Sequence, residues 1–285
     1  MKMLNFFAVL LTAVSLVSCS SDSSSDSPQD QEANYFNLTY NGQAKNVNSW
    51  TAIKQESFIE VSGDTPDGLG ISLKFNTHGN LYEAFTHPNT ISSTISTSSS
   101  FAYFSNSTFT FQLVEINTTN KTIKVNFSGK LYEDEYDHTS TTNTVSGSFK
   151  ISYIEYTPPI SGIGTYAKVN GQDWYGIQKS STGDGSTSTL FEQNGGEYII
   201  GIVYPYLSPQ TGTFNFSNNS ATKRISFSKY DPVTHQEIEY NVSGTITYAT
   251  ASSMIVQGTF SLTATHPTNG STITITNGTF KEGAQ

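Results

Sequence analysis

From Tyr35 onward the chain alternates apolar and polar residues with a period of two, as in Thr108-Phe109-Thr110-Phe111-Gln112-Leu113 and Thr272-Ile273-Thr274-Ile275. Successive side chains of a strand point to opposite faces, so this pattern specifies half-buried β-strands. The apolar positions hold β-branched and aromatic residues, which suit a pleated surface. Asn-Gly punctuates the alternation at Asn41-Gly42, Asn170-Gly171, Asn269-Gly270 and Asn277-Gly278, a dipeptide that tolerates the positive φ angles of tight hairpins. No long stretch repeats at the helical period. The expectation is an all-β, antiparallel chain.

An internal repeat divides it. Leu38-Thr39-Tyr40-Asn41-Gly42-Gln43 is echoed by Ala167-Lys168-Val169-Asn170-Gly171-Gln172, each leading to a tryptophan, Trp50 or Trp174. Near the ends of the copies, Asn126-Phe127-Ser128-Gly129-Lys130-Leu131 matches Asn241-Val242-Ser243-Gly244-Thr245-Ile246, and Val145-Ser146-Gly147-Ser148-Phe149 matches Val256-Gln257-Gly258-Thr259-Phe260. Each copy is long enough to be a domain rather than one unit of a solenoid. Paired prolines in Thr157-Pro158-Pro159-Ile160-Ser161-Gly162 can neither continue a ladder nor form a helix, and they mark the junction. Two tandem antiparallel β-sandwich or flattened β-barrel domains are expected, over 34–157 and 163–285.

The N-terminus reads as an address. Lys2, the apolar run from Phe6 to Val14 and the small Ser18 have the layout of a removable secretory signal over 1–18, too short to span a bilayer. Leu16-Val17-Ser18-Cys19 resembles the bacterial lipobox, and in proteins with that motif the cysteine is acylated and becomes the new N-terminus. The expected partner of the chain is therefore a membrane, reached through a lipid on Cys19. Ser20-Ser21-Asp22-Ser23-Ser24-Ser25-Asp26-Ser27 has no apolar residue to bury, so 19–33 reads as a disordered tether. An acidic, serine-rich stretch in this place resembles the export signals of surface lipoproteins of Bacteroidota. By the sorting rule of other Gram-negative lipoproteins, Ser20 directly after the cysteine favours the outer membrane. The second copy, with Val169-Asn170-Gly171-Gln172-Asp173-Trp174 at its start and Ile275-Thr276-Asn277-Gly278-Thr279-Phe280 at its end, resembles a family of uncharacterised Bacteroidota outer-membrane lipoproteins. That resemblance implies a compact β-fold and brings no activity and no catalytic residues.

Composition narrows the function. The formal charge is -9, and the 14 basic residues are scattered, which argues against nucleic acid as a partner. Cys19 is the only cysteine, so disulfides, thiolate metal clusters and cysteine nucleophiles are excluded downstream of it. His78, His87, His138, His235 and His266 match no metal signature and fall mostly in expected turns, where the plain reading is a solvated side chain. No Gly-x-Ser-x-Gly elbow occurs, and an enzyme is not expected. No cofactor is expected either, with one candidate: Glu133, Asp134, Glu135 and Asp137 bring carboxylates to one turn, as calcium requires, although a charged hairpin tip that blunts edge pairing is the commoner reason for such a cluster.

Aromatics remain as candidates for ligand binding. Trp174 with Tyr175, and Tyr204 and Tyr206 around Pro205, would stack on sugar rings if exposed, whereas a tryptophan after a hairpin more often plugs the core. The leading expectation is a non-catalytic binding protein of the cell envelope, with a glycan or a surface protein as ligand. The alternatives are a structural or adhesive spacer of a surface complex and a secreted hydrolase.

Overall fold

The computed structural model describes residues 33–205, 210–252 and 255–283. The expected signal, Cys19 and all of the tether but Ala33 lie outside these residues. The first half contributes β1 (Tyr35–Tyr40), β2 (Gln43–Asn46), β3 (Ser49–Gln55), β4 (Phe58–Asp64), β5 (Leu69–Asn76), β6 (Leu81–Pro88), β7 (Ser98–Ser99), β8 (Phe109–Asn117), β9 (Thr122–Tyr132), β10 (Thr142–Ser152) and β11 (Ile154–Glu155). The second half contributes β12 (Gly164–Val169), β13 (Gln172–Gly183), β14 (Thr187–Gln193), β15 (Tyr198–Pro205), β16 (Gly212–Phe216), β17 (Arg224–Asp231), β18 (Gln236–Glu239), β19 (Asn241–Ala251), β20 (Ile255–Thr265) and β21 (Thr272–Gly283). A single 3₁₀ turn at Ser105–Ser107 is the helical content of the described residues.

The chain is all-β and forms two sheets, one from each half. The first runs β11-β3-β4-β5-β6-β7-β9-β10-β1-β2, with β8 also on β9; the second runs β16-β19-β20-β21-β12-β13-β14-β15-β17-β18. Pairing is antiparallel throughout apart from the two-residue contact of β11 with β3. The alternation read from sequence fills each interior. Ile59, Val61, Ile71, Leu73, Phe75, Ile123, Val125 and Phe149 are buried in the first, and Ile200, Ile202, Ile225, Phe227, Ile246, Val256, Ile275 and Phe280 in the second. Each such side chain contributes about 1.5–3 kcal/mol by leaving water.

Asn41-Gly42 and Asn170-Gly171 are two-residue hairpins with φ of 48° and 76°, and 49° and 82°. Asn277-Gly278 is not a turn. Asn277 takes φ 53° inside β21, where the register against both neighbours shifts, so it is the extra residue of a β-bulge.

Topology also re-registers the repeat. β10 neighbours β1 as β21 neighbours β12, so the order β1-β10-β9-β8 corresponds to β12-β21-β20-β19. The sequence match had placed β9 and β10 against β19 and β20, one strand out. A shared packing device supports the new alignment. Phe109 lies opposite Gly129 and Phe127 opposite Gly147, as Tyr248 lies opposite Gly258 and Phe260 opposite Gly278. Six of these residues show the close fit: the ring of Phe109 covers Gly129, that of Phe127 covers Gly147 and that of Phe260 covers Gly278.

Outward positions are equally regular. Thr39, Ser146, Ser128 and Thr110 stand opposite one another across β1-β10-β9-β8. Thr213, Thr247, Thr259 and Thr279 do the same across β16-β19-β20-β21, with 2.9 Å between the Thr213 and Thr247 hydroxyls.

Candidate functional site

An aromatic cluster lies where the two halves meet. Phe101, Tyr132 and Tyr230 form a small buried cluster of their own, with Phe101 and Tyr132 from the first half and Tyr230 from β17 of the second. Phe101 packs at 5.6 Å on Tyr132 and at 5.4 Å on Tyr230. Tyr103 stacks on Tyr230 with rings 5.6 Å apart and 6° from parallel, and meets Tyr136 edge-on at 5.7 Å. Tyr136 is 60% exposed. Neighbouring rings therefore hold this exposed ring in place.

Tyr136 comes from the acidic loop between β9 and β10, and the acids explain its position. Asp134 Oδ1 accepts the Tyr136 N–H at 3.0 Å, and Asp137 Oδ1 accepts the Thr139 N–H at 2.8 Å and its hydroxyl at 2.7 Å. These bonds hold the Asp137 carboxyl below its ordinary value, the Thr139 hydroxyl contributing most. The Ala102 N–H donates to the Glu135 carbonyl at 2.9 Å and ties the loop to the Phe101–Tyr103 segment. Asp134 and Asp137 are thus spent on turns, while Glu133 Oε1 accepts the Ser96 hydroxyl at 3.4 Å. Glu133, Asp134, Glu135 and Asp137 do not converge, and no group of three or more His, Cys, Asp or Glu side chains among the described residues is placed to hold a metal.

Tyr103 and Tyr136 form one wall of a cleft of about 240 Å³; the other wall is the outer face of the second sheet, with Lys179, Ser180, Phe191, Gln193 and Glu237. Past Phe191 and Glu237 the depression continues over Thr189, Ser226, Glu239 and Arg224, and from Thr189 and Arg224 to Thr182 and Asp184. Register explains this line: Ser180, Phe191, Gly201 and Ser226 stand opposite one another across β13, β14, β15 and β17, and Thr182, Thr189, Val203 and Arg224 form the next row. Gly201 leaves the floor low. Burial lowers the Arg224 guanidinium from its ordinary value, its Nη1 donates to the Ala221 carbonyl at 2.6 Å, and its buried Nε has no partner. Burial also raises the Tyr136 phenol, with Glu135 adding to it, so at neutral pH it is an uncharged hydrogen-bond donor.

The aromatic candidates from sequence divide by strand parity. Trp174 is 4% exposed, faces the second core and covers Gly176, while Tyr204 is 2% exposed and continues the inward row of Ile200 and Ile202. Neither is a surface platform. Tyr206 lies outside the described residues. Tyr175, next to Trp174, points outward, sits 4.9 Å from Tyr166 and stacks on His78 of the first half at 3.5 Å. His138 and His235 likewise stack across the halves at 3.5 Å. These three histidines are exposed and lie in turns, as the sequence suggested, and they also join the halves through their rings. Tyr103 and Tyr136 were missed because the cleft is assembled by contacts distant in sequence; the spacing Asp134-x-Tyr136, which signals an Asx turn, was the available clue.

No protein-family model, no curated protein and no solved structure matches the chain.

Proposed function

We propose that this protein is a lipid-anchored component of the bacterial outer membrane that binds an uncharged glycan without catalysis, using the cleft between Tyr103, Tyr136 and Phe191. The observation that carries the reading is Tyr136, a 60% exposed ring fixed by Tyr103 at the mouth of a concave, polar-rimmed groove. Aromatic faces stack on the apolar face of a sugar, and Ser180, Gln193, Lys179 and Glu237 supply donors and acceptors for its hydroxyls. The groove runs on over serine and threonine, which suits a chain of several sugars better than a single one.

Anchoring rests on the sequence Leu16-Val17-Ser18-Cys19 and its resemblance to the lipobox. A double acyl chain holds a protein stably, because each buried methylene contributes about 0.8 kcal/mol. Cys19→Ala is expected to move the protein from the membrane to the soluble fraction of lysed cells; retention in the membrane would sink the anchor.

The binding reading is tested by thermal melts of residues 34–285 against a panel of soluble neutral oligosaccharides. A ligand at a hundred times its Kd adds about 2.7 kcal/mol to the folded state. Tyr136→Ala is expected to abolish the shift while changing stability by under about 1 kcal/mol, since the ring is mostly in water. Absence of any glycan-dependent shift leaves the spacer reading as the better one. A hydrolase reading needs acids in reach of a sugar, and the paired carboxyls of the second half, Glu192 and Glu282, are wholly buried.

A further inference from the structure

The chain leaves the fold toward Cys19 at one corner of the first sheet. Asn34 Nδ2 donates to Ser152 Oγ at 3.0 Å and Tyr35 lies opposite Lys150, so the exit adjoins the end of β10. The Tyr153 N–H donates to the Lys121 carbonyl at 2.8 Å and fixes the bend from β10 into the edge strand β11.

β11 carries apolar side chains into solvent. Ile154 is 71% exposed and stands opposite Ile53 of β3, which faces outward because its neighbour Ala52 faces the core. Tyr156, 53% exposed, follows two residues on, and its N–H donates to the Lys54 carbonyl at 2.9 Å. The linker continues this surface with Pro158, Ile160 and the exposed Ile163, which line a depression of about 330 Å³. Of the eight large apolar side chains exposed among the described residues, Ile53, Ile154, Tyr156 and Ile163 belong to this corner. Single exposed apolar residues are ordinary, whereas a contiguous group of them marks a contact surface.

The charges around the patch are arranged to suit a lipid headgroup layer. Glu155, between Ile154 and Tyr156, is paired with Lys54 at 3.0 Å and Lys121 at 3.6 Å. Lys124 and Lys150 stand opposite one another on β9 and β10, in line with Tyr35. Glu60, opposite Ile53, bounds the patch on its far side, and Glu56 Oε2 accepts the Gly162 N–H at 2.7 Å. Aliphatic residues with a tyrosine among them and lysines at the rim suit a bilayer interface, where lysine stems lie along apolar surface while their heads stay in water.

We propose that this corner docks on the surface of a phospholipid bilayer, with Ile154 and Tyr156 entering the headgroup layer. The occupant follows from where the chain leaves. An acyl group on Cys19 is joined to the fold at this corner through 19–33, 15 residues that span about 50 Å at most when fully extended. The patch is too small to hold the protein by itself; it orients a protein that the lipid retains. Orientation bears on the cleft, because Tyr136 comes from the loop at the other end of β9, whose 11 residues place it roughly 35 Å away. A protein resting on Ile154 and Tyr156 turns its cleft away from the membrane. The inference rests on the anchored reading for this consequence, and its test is made independent of acylation.

Residues 20–285, which contain no cysteine, are held by an N-terminal polyhistidine tag on vesicles of phosphatidylethanolamine and phosphatidylglycerol that include a nickel-chelating lipid. A fluorophore is attached through Thr157→Cys, beside Tyr156, or through Val233→Cys, 84% exposed in the hairpin whose His235 stacks on His138. Nitroxide-bearing lipid is expected to quench the label at 157 and to spare the label at 233. Ile154→Ser combined with Tyr156→Ser is expected to lower the ratio of docked to undocked protein about tenfold, with the melting temperature unchanged because both side chains are mostly in water. Equal quenching at the two positions, quenching at neither or at 233 alone, or quenching at 157 that survives the double substitution would each overturn the proposal. Retention of the natural chain in membranes, lost or kept in Cys19→Ala, reports on the anchor alone, so failure of the one reading is distinguishable from failure of the other.

Discussion

Burying Glu192 and Glu282 side by side without a cation makes the fold prefer their protonated forms, and that preference sets a pH dependence. Unfolded, both carboxyls ionise near their ordinary value of 4.5; folded, burial raises Glu282 to about 7 and holds Glu192 well above its ordinary value too. Between these limits the native state binds more protons than the unfolded state, so stability falls as pH rises from about 4.5 through about 7. His78 acts in the opposite sense, because burial lowers its imidazole, mitigated by Asp173, and stability falls as pH drops below its ordinary 6.5. His78 is largely in water, where such effects are screened, so the carboxyl pair dominates. Denaturant melts from pH 5 to 8 are expected to show declining stability in the wild type and a flatter profile in Glu282→Gln; a stability that rises steadily with pH would contradict the assignment.

At the scale of elements, the ladder of aromatic rings over glycines carries the sheets' geometry. A Cβ on Gly278 would sit 2.5 Å from the Phe260 ring, so Gly278→Ala must displace a core aromatic. We expect it to cost about 1–3 kcal/mol, against under about 0.5 kcal/mol for Gly283→Ala, which meets nothing within 4 Å. Chemical denaturation of the two variants checks the difference. The strands themselves were legible where apolar and polar residues alternate, as in β4, β20 and the first half of β21, because the alternation follows which face is buried; β14 was not, since its buried face carries Ser188 and Glu192 and its outer face Phe191. Asn41-Gly42 and Asn170-Gly171 were legible as hairpins for the same local reason. Asn277-Gly278 uses the same dipeptide inside a strand, and only its neighbours β12 and β20 decide between turn and bulge. The site was less legible still. Acidic density drew attention to Glu133–Asp137, whereas Asp134 and Asp137 bond the loop's own backbone and Asp134 presents Tyr136; Trp174 was legible as a core plug after its hairpin, while Tyr204 needed a strand register before its inward parity could be known.

At the scale of the molecule, the halves are joined by specific contacts rather than by the linker alone. The stacks of His78 on Tyr175 and His138 on His235 combine with the Asn106 N–H donating to the Gly195 carbonyl at 3.0 Å and the Ser105 hydroxyl to the same oxygen at 3.3 Å. Gly195 takes φ 77°, and a side chain there would strike the Leu81 carbonyl of the first half. Gly195→Ala is expected to cost about 2–3 kcal/mol and to increase proteolytic cutting between residues 157 and 163. Unchanged proteolysis would mean that the halves stay together without this contact.

The threonine and serine rows on the two outer faces bear on how the protein lives with salt. Most soluble proteins stay apart from one another through charge, a protection that weakens when the Debye length shrinks from about 10 Å at 0.1 M to about 3 Å at 1 M ionic strength. Here only 13% of residues are charged, and Thr213, Thr247, Thr259 and Thr279 hold water through hydroxyls that ions do not screen. A coat of this kind keeps its hydration in fresh water and in brine alike.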